Sequence, residues 1–114
     1  MVITNKPNPY SRAILEGLGV ASFFSDIIGG DSEYPKKPDP AALVAVMGQA
    51  GITVHEVLFI GDSPVDIEAG RRAGVLTIAV AHGLSDEREL QAASPDVAVR
   101  DFAELLQLAQ RHGW

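Results

Sequence analysis

Short apolar runs alternate with segments of helical period along the whole chain, and that alternation leaves few folds open. Val2-Ile3-Thr4, the run within 23–28, Val57-Leu58-Phe59-Ile60, 75–80 and Val97-Ala98-Val99 are each of strand length. Amphipathic stretches lie between them. Strand and helix in regular alternation build βα units and a parallel sheet. The expectation is therefore an α/β three-layer sandwich with a mostly parallel sheet of about five strands. At 114 residues the chain has the size of one small domain or part of a larger one. It contains no linker, tandem repeat or low-complexity tract at which to divide it.

The helices announce their ends. Asn8-Pro9 and Asp39-Pro40 each set a capping side chain ahead of a proline that suits the first helical turn. The first predicts a helix with Ile14, Leu15 and Leu18 on its apolar face, closed by Gly19. The second predicts a helix to about Ala50, with Leu43, Val46 and Met47 inward and Gly51 as its stop. Ser63-Pro64 opens a helix that Gly74 ends, and a short helix follows near 86–92. Asp101 and Glu104 form a capping-box pair before the last helix, whose apolar face is Phe102, Leu105, Leu106 and Ala109. The unbroken apolar run 57–60 predicts a central strand covered on both faces. Phe23, Phe24 and Phe59 are predicted core.

Charge excludes some partners. The net charge is −6, and the nine Lys and Arg are scattered, so no basic footprint for nucleic acid or an anionic membrane surface exists. No stretch approaches the roughly 20 apolar residues of a membrane span, and the start lacks a secretory signal, so a cytoplasmic setting is expected. Without cysteine there is neither a disulfide framework nor a thiolate metal site. Arg71, Arg72 and His112 suit helix C-termini, His55 a surface, and Trp114 a place against the last helix.

Functional groups in a parallel α/β sheet gather at the carboxyl ends of the strands. Asp62 stands at the mouth of the turn after Val57–Ile60, and Asp66 follows inside the first helical turn, so both carboxylates can reach one point. Two carboxylates with few bases nearby suit Mg²⁺, which takes one or two carboxylates together with waters and substrate phosphate oxygens. The plainer reading makes Asp66 a partner of the helix dipole and Ser63 its cap. Thr4 ends the first strand, where its hydroxyl and the following backbone N–H groups could meet a phosphate oxygen, although a strand-end Thr also satisfies β-propensity. Lys36 and Lys37 precede a helix in a segment stiffened by Pro38 and Pro40, which suits a lysine held over a site.

Taken together and in order, Val2-Ile3-Thr4-Asn5-Lys6-Pro7, Ile28-Gly29-Gly30-Asp31, Lys37-Pro38-Asp39-Pro40 and Gly61-Asp62-Ser63-Pro64-Val65-Asp66 form a specific constellation. It resembles the second, third and fourth motifs of the haloacid dehalogenase-like (HAD) hydrolases, in particular the phosphoglycolate phosphatases and their near relatives. The resemblance spans nearly the whole chain. It implies a Rossmann-like core and a phosphatase working through an aspartyl-phosphate, with Mg²⁺ as cofactor and a small phosphomonoester such as 2-phosphoglycolate as substrate. It implies that Thr4 donates to a phosphate oxygen with Asn5 beside it in that contact. Lys37 would pair with phosphate and the nucleophilic carboxylate, Asp62 would ligate Mg²⁺, and Asp66 would support the ion directly or through water. Ala81-His82-Gly83 matches a loop near the site's mouth.

The sequence departs from that family where the reaction begins. Members carry an Asp-x-Asp-Gly segment on a central strand, whose first Asp attacks phosphorus, and no such segment is present. The helical cap of the related phosphatases is also absent. Residues 1–114 are thus expected to be the C-terminal part of a HAD-like core without its central first strand, inactive alone. The alternative is a non-catalytic module that binds Mg²⁺ or phosphate, or pairs through open sheet edges with a second copy or a partner chain. A receiver domain, which also joins an Asp cluster to a late Lys, needs its acidic pair at the first strand and does not match this order.

Overall fold

In the computed structural model, residues 1–81 and 86–114 are described. His82 and the loop around it lie outside them. Five strands and five α-helices follow in the expected order: β1 (Val2–Ile3), α1 (Asn8–Gly17), β2 (Ile27–Ile28), α2 (Ala41–Ala50), β3 (Leu58–Gly61), α3 (Pro64–Ala73), β4 (Leu76–Val80), α4 (Glu87–Ala92), β5 (Val97–Val99) and α5 (Phe102–His112). Gly51 and Gly74 stop α2 and α3 in the left-handed conformation, with φ of 66° and 81°, where glycine carries no Cβ penalty.

Among the described residues all pairing is parallel, but the strands do not form one sheet. β1 pairs with β2 in the register Val2↔Ile27 and Ile3↔Ile28. β4 lies between β3 and β5, with Ile60↔Ile78 and Val80↔Val99 among the partners. Among the described residues no strand joins β1 to β3. Instead of the expected single sheet, the described residues form two sheets, of two and three strands.

Helices cover both faces. Leu43 and Met47 of α2 pack with Val75 and gather Ile3, Val57 and Phe59, so one helix floors both sheets. Ile67 of α3 and Leu90 of α4 close over Ala79 on that same side. On the opposite side Leu105 and Leu108 of α5 cover Ile78, Val80 and Val99. At the base of β4, Thr77 is fully buried and donates its N–H (2.8 Å) and hydroxyl (3.2 Å) to the Asp96 carboxylate.

Several expectations are corrected. Ile60 lies level with Ile78 in the ladder, so both side chains face α5; α5 covers Ile78, yet Ile60 remains 45% exposed because the helix does not extend over the outer edge of β3. The run 57–60 is therefore half-buried. Phe23 is 81% exposed, since it belongs to a single 3₁₀ turn (Ala21–Phe23) and not to a strand. Ile14, Leu18, Phe102 and Leu106 are also exposed. Asn8 is the first helical residue and not a cap: its N–H donates to the Asp31 carboxylate (2.8 Å) and its side-chain amide to the Ile27 carbonyl (2.7 Å). Trp114 stacks on His112 at 5.0 Å and donates its N–H to the Ala109 carbonyl.

Candidate functional site

The carboxyl end of β3 turns through Gly61, Asp62 and Ser63 into α3, and Asp66 folds back over that turn. Its Oδ2 accepts from the N–H of Asp62 (3.2 Å), the N–H of Ser63 (3.3 Å) and the Ser63 hydroxyl (3.0 Å). Three donors thus converge on one oxygen at the N-terminus of α3. The close fold-back explains Gly61, because a Cβ there would lie 2.5 Å from Oδ2 and 2.6 Å from Cγ of Asp66. Only a residue without a side chain fits.

The other carboxylate oxygen of Asp66 accepts from the Lys37 ammonium, and the two side chains are only 10% and 12% exposed. The Lys37 Nζ also stands 5.9 Å from the centroid of the Phe59 ring, within cation–π range. Lys37 reaches this position from the segment ahead of α2, where the Lys37–Pro38 peptide is cis. Its own main chain is held by Asn5: the Lys37 N–H donates to Asn5 Oδ1 (2.9 Å), and Asn5 Nδ2 donates to the Lys37 carbonyl (3.1 Å).

Of the residues singled out from sequence, Asn5, Lys37 and Asp66 thus form one continuous chain of contacts, and Asp62 adjoins it through its backbone. The Asp62 side chain is exposed, and among the described residues its carboxylate has no hydrogen-bond or ion-pair partner. Thr4 extends the β1 ladder by donating its N–H to the Ile28 carbonyl (3.0 Å), while its hydroxyl accepts from the Lys6 N–H (3.2 Å). Lys36 makes no ion pair among the described residues. Two motif residues have uses that the sequence did not specify. Ser63 serves Asp66 as well as starting a helix, and Gly30 admits the 29–37 loop against Asn5, where a Cβ would lie 2.7 Å from the Asn5 carbonyl carbon. The motifs mark both positions, but spacing alone does not give either contact.

The donor set bears on a metal. Among the described residues no group of three or more His, Cys, Asp or Glu side chains converges. One unengaged carboxylate, Asp62, beside a second that is hydrogen-bonded fits an ion that takes one or two carboxylates and completes its shell with water and substrate oxygens. It does not fit an all-protein cage.

The layered α/β arrangement with parallel strands is that of the doubly wound class, in which ligands are held at the carboxyl ends of the strands, and the Lys37–Asp66 pair and the open Asp62 carboxylate stand at such an end. The chain belongs to the haloacid dehalogenase-like hydrolase family, which matches residues 1–80. Over 107 residues, 94% of its length, it is 42% identical to the phosphoglycolate phosphatase of Pectobacterium atrosepticum, of which it covers 46%. It is likewise 42% identical to the phosphoglycolate phosphatase of Pseudomonas putida, covering 92% of this chain and 39% of that one. Its fold superposes on the crystal structure of a predicted phosphoglycolate phosphatase from Haemophilus somnus with a TM-score of 0.87 and 33% identity, over 94% of this chain and 48% of that one. The chain spans less than half the length of these relatives. Phosphatases of the family generally use Mg²⁺, and no helix among the described residues is long and apolar enough to cross a membrane.

Proposed function

We propose that these 114 residues form the metal- and phosphate-holding part of a phosphoric monoester hydrolase core, without its cap, and that the whole enzyme acts on a small phosphomonoester such as 2-phosphoglycolate in the cytoplasm. The observation that carries this reading is the Lys37 ammonium buried against Asp66 beside the open carboxylate of Asp62. In this reading Asp62 holds Mg²⁺, and Asp66 supports the ion through water while anchoring Lys37. The ion would supply positive charge to the phosphate oxygens. Thr4 gives its hydroxyl, with the N–H groups that follow, to a phosphate oxygen. Lys37 steadies the phosphoryl group and an attacking carboxylate. In this reading that carboxylate comes from outside these residues, because no Asp-x-Asp-Gly segment lies among them and Asp62 and Asp66 are assigned to the ion. It would attack phosphorus in line, expel the alcohol and leave an aspartyl-phosphate for water to hydrolyse.

The test uses the 114-residue chain. It should leave p-nitrophenyl phosphate intact, while Mg²⁺ with orthophosphate shifts the amide resonances of residues 61–66, and Asp62→Asn removes the shift. Turnover that Asp62→Asn abolishes would mean that the nucleophile lies within this chain. Absence of any Mg²⁺ response at residues 61–66 would remove the metal assignment.

A second reading, association through open edges, is supported by a cavity of about 260 Å³ between the sheets, lined by Met1, Ile3, Leu43, Met47, Leu58 and Phe59 among others. The Val2 N–H donates to the Asp26 carbonyl just ahead of β2 and the Thr4 N–H to the Ile28 carbonyl of β2, so the intervening Ile3 directs its main-chain groups away from β2, toward the open edge. Open strand edges are templates for pairing, and we propose that a second copy or a partner strand occupies them. Light scattering across a concentration series tests this: a dimer is expected, and a monomer at every concentration counts against it.

A further inference from the structure

We infer that Asn5 is a positioning residue that brackets the Lys37 main chain and so aims its ammonium at Asp66. Its side-chain amide serves Lys37 and not phosphate in this reading. The bracket has two points: Lys37 N–H to Asn5 Oδ1 at 2.9 Å and Asn5 Nδ2 to the Lys37 carbonyl at 3.1 Å. A carboxamide presents an acceptor and a donor side by side in one plane, as a peptide unit does. Asn5 therefore mimics the edge of a strand for a residue 32 positions away. An aspartate at this position keeps the acceptor and loses the donor, and an alanine loses both.

The surroundings close the same joint. The Gly30 N–H donates to the Lys6 carbonyl at 3.0 Å, and Gly30 lies too close to the Asn5 main chain to carry a side chain. The 29–37 loop is thus pressed onto the end of β1 from both of its ends. Because β1 and β3 share no ladder, the sequence of contacts Asn5, Lys37, Asp66 is a polar bridge between the two halves of the rim. Oδ1 and one Nδ2 hydrogen of Asn5 are committed to Lys37, so the amide cannot turn as a whole toward a phosphate oxygen without releasing Lys37.

The catalytic meaning of this role rests on the phosphatase reading of Lys37, but its geometry does not, and the test keeps the two apart. A lysine-selective ¹H–¹⁵N spectrum of the 114-residue chain should show the Lys37 ammonium as a slowly exchanging cross-peak, because it is buried on a carboxylate. In folded Asn5→Ala its exchange should accelerate by roughly tenfold, the effect of losing both hydrogen bonds of the bracket. Asn5→Asp should give an intermediate value. Asp101→Ala, which removes a remote helix cap, should lower thermal stability and leave the Lys37 signal in place. If Asn5→Ala does not fold, Asn5→Asp decides the matter. An unchanged Lys37 signal in a folded Asn5 variant overturns the inference. So does a wild-type Asn5 amide that leaves Lys37 for orthophosphate when Mg²⁺ and orthophosphate are added together. A chain that ignores Mg²⁺ and orthophosphate yet loses the Lys37 signal in Asn5→Ala retains the positioning role and loses the phosphatase reading.

Discussion

Gly61→Ala is the most searching perturbation of the rim. The added methyl would stand 2.5 Å from Oδ2 and 2.6 Å from Cγ of Asp66, where ordinary contact begins at 3.4 Å. Asp66 cannot swing aside without surrendering the Asp62 and Ser63 donors and the Lys37 ammonium. Overpacking of this kind costs about 1–3 kcal/mol, and losing a cap-type bond about 1 kcal/mol more. A destabilisation of about 3 kcal/mol is expected. With a urea m-value of about 1.5 kcal/mol/M for a small domain, the midpoint should fall by about 2 M. Gly48→Ala supplies the contrast: Gly48 lies within α2, and a Cβ there would meet nothing within 4 Å, so alanine should add about 0.5–1 kcal/mol. Urea unfolding followed by far-ultraviolet circular dichroism measures both. A Gly61→Ala stability within about 0.5 kcal/mol of wild type, or one raised like that of Gly48→Ala, would refute the close-approach argument.

Three further substitutions probe separate links. Lys37→Met leaves the Asp66 carboxylate buried without its cation and should cost about 3 kcal/mol in urea unfolding, since breaking a buried pair strands a charge; a loss below about 1 kcal/mol would mean that the backbone donors suffice. Asp62→Asn changes an exposed side chain, so stability should stay within about 0.5 kcal/mol of wild type while the Mg²⁺-dependent amide shifts at residues 61–66 disappear; a large stability loss would mark Asp62 as structural. Glu104 accepts a hydrogen bond from the Arg100 N–H (2.9 Å), which, with the Arg100 guanidinium beside it, holds its carboxyl below the usual glutamate range. Its folded pKa lies below its unfolded one, so its contribution is present above the unfolded value and is lost as pH falls through the folded value. A carboxyl ¹³C titration should give a depressed midpoint for Glu104, and a midpoint at or above that of a free glutamate would contradict the assignment.

The sequence was most legible where one residue type has one physical use. Gly51 and Gly74 mark helix ends because the left-handed stop favours glycine, and Asp101 caps α5 because its side chain accepts from the Glu104 N–H. The order of strands and helices was readable for the same reason. Burial was less legible, because apolar residues report only that something should cover them. Ile60 and Phe102 belong to convincing apolar patterns and are exposed, since cover depends on which elements lie opposite. At the site, the spacing of Asp62 and Asp66 placed both on one turn, but the division of labour was hidden: Asp66 faces inward to Lys37 while Asp62 faces solvent. Nor could spacing show that Asn5 meets Lys37, because a contact across 32 residues depends on how β1 and the 29–37 loop dock.

The rim comes together although its two sheets share no ladder, and the reason lies in one segment. Leu43 and Met47 of α2 pack beneath Ile3 of β1 and beneath Val57 and Phe59 at β3. The loop that leads into the same helix carries Lys37, tied to β1 through Asn5 and to the β3–α3 turn through Asp66. Burying an aliphatic side chain such as Leu43 contributes about 1.5–3 kcal/mol, against about 1 kcal/mol for a net hydrogen bond. The apolar floor therefore outweighs either hydrogen bond of the Asn5–Lys37 bracket, and it sets the distance between β1 and β3. The polar bridge then selects the orientation of Lys37 within that distance. An element entering the cavity between the sheets meets a spacing already fixed by α2, so the site depends on how this helix docks more than on strand pairing across the gap.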